Sequence, residues 1–359
     1  MQTVRPPSPA AESINRDPRR YFDAVGEQRS SVAVAAPVCL YLETTNRCNL
    51  LCTTCPRTYE ELEPPADMSW DLFTSIVDQC PAISRVVLHG IGEPMMVKNL
   101  PRMVRYLKDR GTYVLFNTNG TLLRPKKGRD LIDAGLDELR ISLDAAEAKA
   151  FQLVRGRDWF NRIVRNVREF VELKQALGAE NPRLSLWLTG LRETLQQLPD
   201  FIRLAADIGV REVHLQRLVH FPDGQGLARP ESSLFERLQQ EDAGFLEEAH
   251  RVAAEKGVSF DASGAAEPEA SLKRDGTAQP WSVCRRPWTL MYFTAHGRAI
   301  PCCIAPFSMR GYQSFTLGDA TQDSLRDIWN GVGYQSFRKA LLSDAPPSAC
   351  AGCGLRWSL

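Results

Sequence analysis

Three cysteines fall within eight residues, in the run Cys48-Asn49-Leu50-Leu51-Cys52-Thr53-Thr54-Cys55. Thiols this close can converge on one metal centre, and soft thiolates favour iron–sulfur clusters, zinc or copper(I). Iron–sulfur clusters usually take four thiolates, so three would leave one iron open to another ligand. A structural zinc site wants a fourth protein ligand, and no neighbouring His or Cys supplies one. The preceding stretch, Val38 to Thr44, is rich in apolar and β-branched residues and predicts a buried strand.

The chain has 359 residues, which predicts one large domain plus a smaller one. Its net charge of +1 carries no nucleic-acid signal. No apolar run reaches the roughly 18 residues that span a bilayer. Residues 1–36 have no continuous apolar segment of the secretory kind and are expected to form a flexible arm with a short helix near Pro18–Gln28. The ten cysteines are therefore expected in a reducing, cytoplasmic setting, where metal binding outweighs disulfides.

After the cysteine run, predicted strands and helices alternate. Strands are read at Arg85–Gly90, Tyr113–Asn117, Glu138–Leu143, Arg183–Leu188 and Val210–Leu218. Helices are read at Trp70–Cys80, Asn99–Arg110, Lys126–Ala134, Trp159–Leu177 and Leu195–Ile208. This rhythm means parallel βα units, hence an α/β fold. With the first strand there are six, which suggests a partial (β/α)6 barrel over 37–225 with its chemistry at the C-terminal strand ends. Those ends are polar. The second strand runs into Gly90-Ile91-Gly92-Glu93-Pro94, and Glu93 could accept a hydrogen bond from an ammonium. The third ends in Asn117-Thr118-Asn119-Gly120, a turn signal. On the fourth, Ser142 and Asp144 alternate and so point the same way.

These residues resemble the radical S-adenosylmethionine (SAM) superfamily. The Cys48, Cys52, Cys55 spacing and its place after the first strand match the loop in which three cysteines hold a [4Fe-4S] cluster whose fourth iron binds SAM. Gly92-Glu93-Pro94 matches the last three positions of a Gly-Gly-Glu-Pro segment that binds the methionine ammonium; Ile91 replaces the first glycine. Thr54 stands where the family often has an aromatic residue near the adenine. Asn119, Ser142 and Asp144 resemble segments that contact the ribose and carboxylate. The resemblance covers roughly residues 38 to 220.

A helix over Glu231–Lys256 is expected to dominate a bridge at 226–274. A second cysteine pattern then begins: Cys284, twelve residues, Gly297, four residues, Cys302, with Cys303 adjacent and Cys350-Ala351-Gly352-Cys353 near the end. His296-Gly297 is a hairpin signal, and a helix is read at Ser324–Leu342. Four cysteines from two segments can close on one centre, with a four-cysteine zinc site as the plain alternative. The pattern resembles the SPASM/twitch extension of radical SAM enzymes, a small cysteine-rich α+β domain at 275–359. It implies the twitch form, with an auxiliary [4Fe-4S] cluster on Cys284, Cys302, Cys350 and Cys353 and an electron-transfer role. Which of Cys302 and Cys303 is the ligand stays open at this point.

The remaining residues have plainer readings beside the sharp ones. Cys39 and Cys80 read as buried apolar residues, and His89 as a hydrogen-bonded structural histidine. Cys303 could be a packed thiol or could return a hydrogen atom to a substrate radical. Arg217 or His214, near the end of the sixth strand, could be a base or substrate anchor. The resemblance implies one-electron cleavage of SAM to a 5′-deoxyadenosyl radical that abstracts hydrogen from a substrate C–H bond. An auxiliary cluster beside the substrate points to a two-electron oxidation of a small molecule, or to epimerisation if Cys303 donates hydrogen. The short N-terminal arm favours a small molecule over a peptide; radical modification of a peptide or protein is the alternative, and a non-catalytic electron carrier a remote one. The reductant would be an external donor such as flavodoxin or ferredoxin.

Overall fold

A computed structural model describes residues 29–220, 223–262, 267–273, 278–351 and 353. The expected arm helix near Pro18–Gln28 lies outside the described residues.

The first strand, β1 (Cys39–Leu42), is buried at every position. That is the condition of a parallel strand covered on both faces. It pairs in parallel with β2 (Arg85–Val87), and β3 (Tyr113–Thr118), β4 (Glu138–Ser142), β5 (Arg183–Gly190) and β6 (Glu212–Arg217) follow in order, each parallel to the last. Between them run helices α1 (Trp70–Asp78), α2 (Leu100–Lys108), α3 (Pro125–Ala134), α4 (Ala148–Arg155), α5 (Phe160–Ala176) and α6 (Leu198–Asp207). In α2 the buried residues are Leu100, Met103, Val104 and Leu107, one apolar stripe at helical spacing.

Alternation along the strands separates two apolar surfaces. Leu40, Leu42, Val86, Val114, Phe116, Leu139 and Ile141 join the core under the helices. Cys39, Tyr41, Val87 and Leu115 point inward and meet Leu290, Tyr292 and Ile300. Every strand expected in the barrel forms, and the α/β partial barrel stands. The bridge adds to it. Its helix α7 (Gln240–Lys256) starts later than expected, at a reciprocal cap between Gln239 and Asp242. It leads into a strand not read from the sequence, β7 (Ser259–Ala262), parallel to β6.

The C-terminal cysteine-rich segment continues the same sheet on its other edge. Strand β8 (Leu290–Phe293) lies parallel to β1, with Tyr41 opposite Tyr292. The hairpin forms about Gly297, with β9 (Arg298–Ile300) antiparallel to β8 and β10 (Gly318–Asp319) beyond it. The expected helix at Ser324–Leu342 is two, α8 (Leu325–Trp329) and α9 (Val332–Leu341). The break comes at Asn330, whose side chain leaves the helix to accept from Ala33 N at 2.9 Å and donate to Ala33 O at 3.0 Å. Buried Arg338 completes this corner, donating to Pro287 O at 2.8 Å and to Asn330 Oδ1 at 2.9 Å.

Glu43 locks the two regions together just past the end of β1. It is almost fully buried. Its carboxylate accepts from Ile91 N at 2.9 Å, Tyr292 Oη at 3.0 Å and Ala295 N at 3.1 Å. One side chain thus fixes the first strand, the loop after the second and the C-terminal hairpin. Among the described residues no helix is long and apolar enough to cross a membrane.

Candidate active site

A cavity of about 220 Å³ opens at the C-terminal ends of the strands, and Cys48, Cys52 and Cys55 line it together. Their loop is tied down on several sides. Thr53 N donates to Val154 O at 2.8 Å, Leu227 N to Thr53 O at 2.8 Å, and Thr58 Oγ1 to Cys52 O at 2.8 Å. Glu93 N donates to Arg47 O at 2.8 Å, so the glycine segment lies against the loop. Gly92 permits that approach: a Cβ there would stand 2.7 Å from Arg47 O and closer still to Thr45 O.

Glu93 lines the cavity but is largely occupied. Oε1 accepts from Met95 N at 3.0 Å and Thr118 Oγ1 at 2.8 Å; Oε2 accepts from Asn119 N at 2.7 Å. A carboxylate has about four acceptor sites, so one remains, on Oε2. Burial raises the Glu93 carboxyl, against the pull of those three bonds. Its first work is therefore to clamp the rim of β3 to the loop after β2. Asn119 carries the connection to the cysteine loop: its Nδ2 donates to Asn49 Oδ1 at 2.9 Å and faces Cys48 Sγ at 3.8 Å.

Ser142 and Asp144 line the same cavity, as their alternation implies. Asp144 sits at φ +64°, a left-handed conformation a non-glycine residue adopts only at a cost. Two contacts hold it there, a bond to Oδ1 from Thr189 N at 2.7 Å and a 2.6 Å ion pair with Arg155. Arg155 also points Nη1 at Cys52 Sγ, 3.6 Å away. Burial works against the Arg155 charge, but Asp144 and the Cys52 and Cys48 sulfurs more than restore it. Burial raises all three thiols, Cys55 to about 12, with Arg155 pulling back on Cys52.

The inner wall is Tyr41, His89, Asn117, Arg140 and Trp187, with Cys303, Ile304 and Phe307 reaching in from the C-terminal region. Arg140 donates to Glu138 Oε1 at 2.6 Å and lies 4.7 Å from the Trp187 ring centroid. Burial and the Arg140 charge lower His89 to about 4, so it stands neutral at physiological pH. Arg217 lines the cavity, packed over Phe235. His214 does not: it pairs directly with Trp187 across β5 and β6, on the same inward face, and the two rings stack at 4.6 Å, one inward position before Gln216, which does line the cavity.

Arg140 belongs to the inward row Glu138, Arg140, Ser142 and was readable from the period-2 pattern. Arg155 was not. Helix α4 is short, and nothing in its sequence links residue 155 to a cysteine 103 positions earlier.

A second, smaller cavity, of about 30 Å³, is lined by Cys284, Cys302, Cys350 and Cys353 with buried Arg286. Cys303 lies in the first cavity and Cys302 in the second, so the adjacent pair divides between them. Burial lowers Arg286, but the thiols of Cys284, Cys302, Cys303 and Cys353 outweigh it and raise it overall. A guanidinium kept charged among thiols suits a site whose sulfurs are bound as thiolates. The donor sets fit iron–sulfur clusters: three soft sulfurs with N–H groups aimed at two of them in one site, and four in the other.

An open parallel barrel with three thiols above its first strand and a four-thiol satellite defines an iron–sulfur enzyme that uses SAM. Residues 42–205 match the radical SAM superfamily, and residues 284–354 the SPASM iron-sulfur cluster-binding domain. The chain belongs to the radical SAM superfamily and carries a C-terminal SPASM-type domain. Its cofactors are a SAM-binding [4Fe-4S] cluster, an auxiliary cluster and SAM. A tungsten-containing aldehyde ferredoxin oxidoreductase cofactor-modifying protein of Pyrococcus furiosus is 26% identical over 329 residues, covering 88% of this chain and 87% of that protein. The PqqA peptide cyclase of Granulibacter bethesdensis is 24% identical over 328 residues, covering 90% and 81%. Streptococcus suis SuiB bound to S-adenosylmethionine shares the fold, with a TM-score of 0.64 at 15% identity over 94% of this chain and 75% of SuiB.

Proposed function

We propose that this radical SAM enzyme modifies a peptide by abstracting a hydrogen atom from one of its C–H bonds. When bound, the cluster and SAM supply one-electron cleavage of a C–S bond and, through it, attack on an unactivated C–H bond. Cys48, Cys52 and Cys55 would hold the first cluster. Gly92, Asn119, Ser142 and Asp144 would border SAM, with the free acceptor site on Glu93 Oε2 available to its ammonium. Cys284, Cys302, Cys350 and Cys353 would hold the auxiliary cluster.

The observation that carries the reading is the convergence of Cys48, Cys52 and Cys55 on a cavity that Cys303 and Phe307 of the C-terminal region also line. A substrate there would lie between the two cluster sites. Arg217 would anchor a carbonyl or carboxylate of the substrate. Cys303 would face the substrate carbon, placed to return a hydrogen atom from its thiol. The peptide class is supported by the PqqA peptide cyclase, which aligns with both the barrel and the C-terminal domain. It is preferred over the small-molecule oxidation expected from the sequence alone.

The test incubates the reconstituted enzyme with SAM, reductant and either a library of short peptides or a panel of sugars and aminocyclitols. Peptides that raise 5′-deoxyadenosine above background and lose hydrogen or take up solvent deuterium support the proposal. Stimulation by the small molecules alone contradicts it.

A further inference from the structure

His89 follows β2, and its backbone is fixed on both sides. Leu88 N donates to Leu115 O at 2.9 Å, and Ile91 N to Glu43 Oε2 at 2.9 Å. Val87 stands opposite Leu115, so two residues further on His89 comes level with Asn117. Asn117 in turn stands opposite Arg140. The three side chains form one row across neighbouring strands, and all three line the cavity. Asn119 and Ser142 come two residues later, so the row lies one inward layer below residues assigned to SAM.

His89 lacks the partner expected of a structural histidine. Its Nδ1 is enclosed without a hydrogen bond, and among the described residues neither ring nitrogen has one. A buried polar group left unsatisfied is costly, and in a cavity wall it points to a missing ligand. A buried N–H without an acceptor is rarer than an unpaired lone pair. The ring proton therefore sits on Nε2, the nitrogen left to the cavity. Burial and the Arg140 charge keep the ring neutral. Asn117 adds an amide, also without a hydrogen-bond partner among the described residues.

The charge beneath the row points the same way. Arg140, Arg183 and Arg85 approach the Glu138 carboxylate at 2.6, 3.2 and 3.9 Å, and Arg183 reaches Glu212 at 3.5 Å. Burial raises the Glu138 carboxyl, but the three guanidiniums outweigh it and take it down to about 2. Three cations in this network thus face two carboxylates. The acids that line the cavity are engaged elsewhere, Asp144 with Arg155 and Glu93 with the rim of β3. Two neutral donors backed by excess positive charge suit an anion with two acceptor oxygens.

Resting on the peptide reading above, we propose that His89, Asn117 and Arg140 form a seat for a carboxylate of the substrate. One oxygen accepts from His89 Nε2 and the other from the Asn117 amide, with the Arg140 charge behind them. The carboxylate belongs to an aspartate or glutamate side chain or to a C-terminus, and it holds the substrate beneath the SAM site.

The test uses the reconstituted full chain, loaded with SAM and left unreduced, so that binding is read without turnover. Equilibrium dialysis with mass-spectrometric readout compares matched short-peptide libraries: glutamate against glutamine, aspartate against asparagine, a free C-terminus against its amide. One acid library is expected to contain binders at least about tenfold tighter than their amide counterparts, and that pair names the source of the carboxylate. His89→Phe should abolish the preference, and His89→Gln, which keeps an N–H donor, should restore part of it. If His89→Phe fails to fold, Asn117→Ala should weaken the same preference. On turnover the His89→Phe loss should fall on KM for the acid peptide rather than on kcat. No preference for the acid in any pair, or a preference that His89→Phe keeps, would overturn the proposal. So would a matching loss of SAM affinity in His89→Phe, which would assign the row to SAM. If no peptide binds, sugar acids are compared with their parent sugars. An acid preference removed by His89→Phe would then keep the seat and sink the peptide reading alone; none there would overturn the seat.

Discussion

Replacing Glu43 with alanine tests the seam between barrel and C-terminal hairpin. The substitution strands three buried donors, Ile91 N, Ala295 N and Tyr292 Oη. At about 1 kcal/mol or more for each orphaned group, the loss comes to about 3 kcal/mol. The pH dependence is distinctive. Burial raises the Glu43 carboxyl from its ordinary value of 4.5 to about 7, outweighing its three hydrogen bonds. Below 4.5 both folded and unfolded chains hold the proton. Between 4.5 and about 7 the unfolded chain has lost it and the folded chain keeps it, so the wild type loses stability as pH rises through that window. The alanine variant has no such term. The gap between the proteins is therefore widest at and below about pH 4.5, narrows between 4.5 and about 7 by up to about 3 kcal/mol, and is constant above that. Urea unfolding of the iron-free proteins, followed by tryptophan fluorescence at a series of pH values with unchanged m, reads both quantities. Glu43→Gln keeps one acceptor oxygen without titrating, so its loss in acid should be smaller than that of alanine and should narrow through the same pH window. A Glu43→Ala cost below about 1 kcal/mol in acid, or a gap that widens with pH, would refute the reasoning.

Gly92→Ala should displace the Thr45–Arg47 backbone and weaken SAM binding by at least about tenfold in equilibrium titration, while far-UV circular dichroism stays native. Cys302→Ser should lower bound iron from about eight to about four atoms per chain, whereas Cys303→Ser should leave it near eight, read by iron and sulfide analysis after anaerobic reconstitution. Arg155→Met breaks the buried pair with Asp144 and should cost about 3 kcal/mol in unfolding experiments. It should also change the electron paramagnetic resonance signal of the reduced first cluster, and Arg155→Lys should recover part of both.

The barrel was legible because buried parallel strands leave continuous apolar runs, and the amphipathic helices between them leave a stripe such as Leu100, Met103, Val104 and Leu107. The cysteine loop was legible because its chemistry lies within eight consecutive residues. What escaped depends on contacts distant in sequence. Strand β7 is four residues long and carries no pattern of its own. Helix α8 ends at Asn330 because of a partner at Ala33, 297 positions earlier. The sequence could not choose between Cys302 and Cys303, since adjacent residues share every local signal; the turn after β9 sends their side chains to different cavities. The alternating polar stretch does turn His214 inward, but it sits stacked on its cross-strand partner Trp187 one inward position before Gln216, which lines the cavity; depth along the strand is not legible in the alternation.

The most direct measurement is anaerobic. The protein is reconstituted with iron and sulfide, reduced with dithionite and given SAM, and 5′-deoxyadenosine is quantified for wild type and for Cys48→Ala. The account predicts SAM-dependent 5′-deoxyadenosine from wild type and none from the variant, which should retain the auxiliary cluster. Wild type that carries both clusters yet makes no 5′-deoxyadenosine, or a Cys48→Ala protein that makes it undiminished, would contradict the assignment of the three-cysteine cavity as the radical-generating site.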